Sequence, residues 1–120
     1  MDKIDIENKL EELTGFCGCG NPDEAYKLLY DVLLILDKRS DYSEKRNEYW
    51  EKSYKDIKNL LPWKDEGDNG LYWTYFYYLD NKGFVEHGSS VDGCWITKEG
   101  YELLGLLKEY FSINDAGNKE

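Results

Sequence analysis

Apolar residues recur at helical spacing along most of the chain, and the breaks between them divide it into elements. Asp2 to Leu13 sets Ile6, Leu10 and Leu13 on one side and an acidic face on the other, which predicts a short helix. Gly15-Phe16-Cys17-Gly18-Cys19-Gly20 interrupts it. The next helix opens with Asn21 as cap, Pro22 in the first helical position and Asp23 and Glu24 in the first turn, Glu24 completing a capping box. Its broad stripe of Ala25, Leu28, Leu29, Val32, Leu33 and Leu36, widened by Leu34 and Ile35, predicts the central core helix, with a polar break from Asp37 to Asp41. A third helix, capped by Asp41 or Ser43, carries Tyr49, Trp50, Ser53, Tyr54, Ile57, Leu60 and Leu61 along one side and ends at Pro62. On its opposite side Glu48 meets Lys52 and Glu51 meets Lys55, each pair contributing only ~0.2–0.5 kcal/mol.

After a polar loop, Leu71–Leu79 is apolar except for Thr74 and would suit a buried strand or a short helix. The following Asp80-Asn81-Lys82-Gly83 favours the helix, with Lys82 in the last turn against the negative end of the dipole and Gly83 in the left-handed cap position. Such a helix buries one face, with Tyr72, Tyr75, Phe76 and Leu79 inward, and leaves Trp73 and Tyr77 outside it as candidate partner-binding residues. The alternative for the surplus aromatics is cover from Trp63 and the first helix. Phe84-Val85-Glu86-His87 and Cys94-Trp95-Ile96-Thr97 then form a β-hairpin around Gly88 to Gly93, whose two glycines suit positive φ. Thr97 caps a last helix from Lys98, in which Tyr101, Leu104, Leu107 and Lys108 to Phe111 keep helical spacing.

The order helix, glycine, strand, turn, strand, capped helix resembles the second half of winged helix-turn-helix domains of the MarR and PadR type. In those domains a recognition helix ends in L-x-x-K-G, a two-stranded wing follows, and [LI]-T-x-x-G opens the next helix. The matching residues are Leu79, Lys82 and Gly83, then Ile96, Thr97 and Gly100, and the likeness covers 71–107. It implies a mainly α, winged-helix-like fold with a small β-hairpin and about five helices; the length fits a single domain over 1–111, and the composition after it predicts a flexible tail at 112–120. It also implies DNA contacts from the recognition helix and wing, usually through Arg and Lys. This sequence departs from that pattern, because residues 70–81 contain no Lys or Arg, the wing loop carries Asp92 and no base, and no Arg follows Arg46.

Charge deepens the departure. The chain has a net charge of −10, and neither half reverses it: the first 60 residues hold 10 bases and 14 acids, the last 60 hold 5 and 11. A surface of that sign repels nucleic acid and anionic membranes and suits a basic or neutral partner. No run is long and apolar enough to span a membrane, the first residues do not make a signal segment, and three cysteines suit a reducing cytoplasm better than a disulfide framework.

Two chemistries compete with a purely structural reading. Cys17, Cys19, His87 and Cys94 make a three-sulfur, one-nitrogen set of zinc type, and His87 and Cys94 flank the hairpin loop where they could face one another. Against this, Cys-x-Cys is a poor zinc spacing, and the glycines around it are explained by a tight turn, so no cofactor is expected. Catalysis by a thiol would rest on His87, the only histidine, with nothing in the sequence to orient it. The expectation is therefore a non-catalytic acidic protein acting through protein–protein interaction, as a homo-oligomeric regulator, adaptor or inhibitor. The alternatives are a DNA-binding transcriptional regulator, or an acidic inhibitor, such as a mobile-element product, that occupies the basic nucleic-acid groove of a target enzyme.

Overall fold

Asp2 opens the first helix by accepting the backbone N–H of Asp5 at 3.0 Å, and Gly15 closes it in a left-handed conformation (φ 75°) that returns its N–H to the Glu11 carbonyl. The computed structural model describes residues 2–16, 22–40, 46–61, 70–88, 91 and 94–118, with side chains described for 2–16, 23–38, 51–61, 72–88, 91 and 94–113. Their order is α1 (Lys3–Thr14), α2 (Pro22–Ser40), α3 (Arg46–Leu60), α4 (Gly70–Asn81), β1 (Val85–Glu86), β2 (Trp95–Ile96) and α5 (Lys98–Asn118). The protein is mainly helical, and its two strands pair antiparallel with Val85 opposite Ile96 and Glu86 opposite Trp95.

α2 lies at the centre, against α3, α5 and β2, while α1 lies along α5. Ile6 and Leu10 of α1, Tyr26, Leu29, Val32, Leu33 and Leu36 of α2, and Leu103, Leu107 and Tyr110 of α5 share one buried core with Phe76, Leu79, Val85 and Ile96. From α3 the core receives Ile57, and from just after it Leu61; Ser53 of α3 is buried, and Tyr54 and Leu60 are half-buried. The proposed caps of this helix and its stop at Pro62 lie outside the described residues.

Four features differ from expectation. α2 runs on through Asp37 to Ser40, and Asp37 accepts the Tyr101 hydroxyl at 2.9 Å, so a polar residue at the helix end is used to tie α2 to α5. In α5 the inward stripe is Gly100, Leu103, Leu107 and Tyr110, one position away from Tyr101 and Leu104, because the backbone at Gly100 is pressed against the hairpin. α5 also continues past Phe111 to Asn118, through residues expected to belong to a tail, with Ile113 extending the face that packs on the core. Gly15 and Gly83 take positive φ, whereas Gly88, expected to need it at the start of the hairpin loop, does not.

Candidate functional site

The segment from Tyr72 to Gly100 is built around one joint. α4 ends where Gly83, at φ 79°, donates to the Asp80 carbonyl and Phe84 donates to the Leu79 carbonyl, both at 3.0 Å. Thr97 fastens the far side: its backbone N–H donates to the Phe84 carbonyl at 3.0 Å, its hydroxyl donates to the Gly83 carbonyl at 2.6 Å, and the same oxygen accepts the Gly100 N–H at 3.1 Å. One threonine therefore caps α5 and binds it to the end of α4. Lys82 stands just beyond the last turn of α4, and its ammonium reaches to within 3.1 Å of where a Cβ on Gly15 would be, at the carbonyl end of α1.

With its end fixed, α4 has a defined inner and outer face. Tyr72, Phe76 and Leu79 are buried and Tyr75 is half-buried, while Trp73 is 36% and Tyr77 55% exposed. The helix period of 3.6 residues separates these sets, as the sequence leads one to expect. The inner aromatics are covered by other elements: Tyr54 of α3 meets Tyr72 edge-on at 4.9 Å, and Phe16, after α1, stacks on Tyr78 at 5.6 Å. Trp63, the other proposed cover, lies outside the described residues. Tyr78 donates its hydroxyl to the Thr14 carbonyl at 2.7 Å, while the buried Tyr75 hydroxyl has no partner among the described residues. Burial, and second the neighbouring Tyr78, holds the Tyr75 hydroxyl far above the usual tyrosine range; burial does the same to Tyr78. These two phenols are structural acids that stay protonated.

At the end of α4, Asp80 meets His87 at the edge of the hairpin. Trp73 and Tyr77 are one turn apart, Asp80 follows Tyr77 by three residues, and the His87 ring comes within 3.4 Å of Asp80 Oδ2 with its other nitrogen 2.9 Å from the Gly88 carbonyl. On the other face of the hairpin from His87, Glu86 is exposed, as is its cross-strand partner Trp95, which is 47% exposed. The sequence signals this exposure, since Ile96 turned inward forces its neighbour outward in a strand. Tyr101 and Leu34 are further exposed apolar residues, on α5 and α2.

The zinc set is only partly described. Extending the strand register places His87 opposite Cys94, but Cys94 is buried and His87 is exposed with its ring turned to Asp80. Cys17 and Cys19 lie outside the described residues, and the described ones contain no group of three or more His, Cys, Asp or Glu side chains arranged to hold a metal ion. No described helix is long and apolar enough to cross a membrane. Compared with known proteins, the chain matches no family model, no curated protein and no solved structure.

Proposed function

We propose that this is a non-catalytic, acidic, winged-helix-like protein that works through protein–protein interaction, as a homo-oligomeric regulator, adaptor or inhibitor, with Trp73 and Tyr77 at the contact. The observation that carries this reading is the pair itself: two large aromatic side chains exposed one turn apart on a helix whose opposite face is core. Exposed Trp and Tyr of this kind dominate the binding energy of protein interfaces, because each offers a large rigid surface at small entropic cost. The reading includes a cytoplasmic setting, in which three cysteines stay reduced.

A DNA-binding regulator is the second reading. The joint of Leu79, Lys82, Gly83, Ile96, Thr97 and Gly100 favours it, since these are the residues of the winged-helix likeness. The outward surface of α4 opposes it: Lys82 is the only Lys or Arg among residues 72–88, and its ammonium is turned toward α1.

Affinity capture with mass spectrometry, run with the wild-type chain and with Trp73→Ala/Tyr77→Ala, tests the proposal alongside light scattering of both. A protein retained by the first and lost by the second, or a wild-type oligomer that the double variant reduces to monomer, is the expected result. Identical retained proteins and identical masses would contradict it.

A further inference from the structure

His87 is the chain's only histidine, and both nitrogens of its ring meet groups that accept hydrogen bonds and donate none. Nδ1 lies 2.9 Å from the Gly88 carbonyl oxygen, and Nε2 lies 3.4 Å from Oδ2 of the Asp80 carboxylate. A neutral imidazole has one N–H, so it donates to one of these oxygens and turns a lone pair on the other; the imidazolium donates to both. The contact with Gly88 is the shorter, and it holds the single proton of the neutral ring on Nδ1, which sets the Nε2 lone pair against the carboxylate. Asp80 in turn follows Trp73 and Tyr77 at helical spacing on the outer face of α4, and it is the only charged residue from 70 to 81.

We propose that His87 is a proton-operated latch. Protonated, it ties the first strand of the hairpin to the end of α4 and neutralises Asp80; deprotonated, it keeps Gly88 and releases Asp80 as a bare carboxylate at the end of the Trp73–Tyr77 face. The latch stands on the geometry of the ring, and its consequence for a partner rests on the interaction reading above. A carboxylate without its counter-charge must be stripped of water when a protein covers that face, so contact through Trp73 and Tyr77 is favoured when the latch is closed. The elements packed on β1 are α4 and β2, and their other titratable or charged groups do not compete for the ring. Lys82, just past α4, turns its ammonium to the end of α1, and Cys94, opposite His87 at the start of β2, is buried. Glu86, on β1 itself, lies on the other face of the strand, and Asp92 lies outside the described residues.

Nitrogen-15 and proton NMR of the ring in the wild-type chain tests the latch, read at about pH 5 and about pH 8, between which an imidazole ordinarily changes charge. A single histidine leaves no overlap between signals. At the lower pH both nitrogens are expected to carry protons, and the ring to show nuclear Overhauser contacts with the Asp80 side chain. At the higher pH the remaining proton is expected on Nδ1 and those contacts are expected to be lost. Contacts that persist unchanged at the higher pH, contacts missing at the lower pH, or a neutral ring protonated on Nε2 would overturn the proposal. No partner enters this measurement, so its failure leaves the interaction reading standing, and protein capture indifferent to Trp73 and Tyr77 removes that reading while the latch remains. Capture repeated at the two pH values joins the two: the wild-type chain is expected to retain more partner at the lower pH and His87→Gln to retain equal amounts. Equal retention by the wild-type chain would show that the latch does not govern the face.

Discussion

At Gly100, α5 comes so close to the hairpin that a Cβ would sit 2.2 Å from the Phe84 carbonyl oxygen and 2.6 Å from Ile96 Cγ2. The oxygen belongs to backbone that is already held by Thr97, so it has little room to retreat. Alanine ordinarily favours a helix over glycine by about 1 kcal/mol. Here the overlap reverses the sign, and Gly100→Ala is expected to cost ~1–3 kcal/mol. Gly105, five residues on in the same helix and with open space around its Cβ position, provides the internal comparison: Gly105→Ala is expected to stabilise by ~0.5–1 kcal/mol. Urea denaturation of both variants checks the pair; a gain in stability at both positions would mean that α5 does not press on the hairpin. The Thr97-x-x-Gly100 spacing was visible in the sequence as a resemblance. Its physical cause, a backbone contact that excludes a methyl group, needed the structure.

For α4 the account depends on which face is which. Phe76 is fully buried, so Phe76→Ala is expected to cost ~3–5 kcal/mol, whereas Trp73→Ala is expected to stay within about 1 kcal/mol of wild type. Thermal and urea unfolding compare them directly, and a Trp73→Ala protein as unstable as Phe76→Ala would show that Trp73 belongs to the core. The faces of α1, α2 and α4 were legible because apolar residues repeat with the helix period. That pattern fails where polar groups decide. The polar residues from Asp37 suggest a break in α2, yet the helix continues, because Asp37 is fixed by Tyr101. In α5 the expected spacing is right at Leu107 and Tyr110 but not at Tyr101, which is exposed because the position that approaches the hairpin is Gly100, a glycine that carries no hydrophobic signal. Tyr26 was overlooked as a core residue although it keeps spacing with Leu29 and Leu33; its ring meets Tyr110 at 5.4 Å, and Tyr110 donates its hydroxyl to Asp23. Trp73 and Tyr77, the candidate contact residues, can be named from the sequence, while the exposure of Trp95 opposite Glu86 follows from the hairpin register.

Over the whole molecule, charge and the winged-helix resemblance point in different directions. The residues joined at Gly83, Thr97 and Gly100 are those on which the sequence resembles winged-helix domains, but a net charge of −10 repels phosphate. In the proposed account the charge decides, and the face that would enter a DNA groove meets a protein instead. Sequence composition alone carried that part of the argument, because net charge does not depend on the fold. The most direct test is a fluorescence anisotropy titration of the wild-type chain with random-sequence duplex DNA at low salt, where electrostatic binding is strongest. The account predicts no binding; saturable binding that weakens steeply as salt is raised would contradict it.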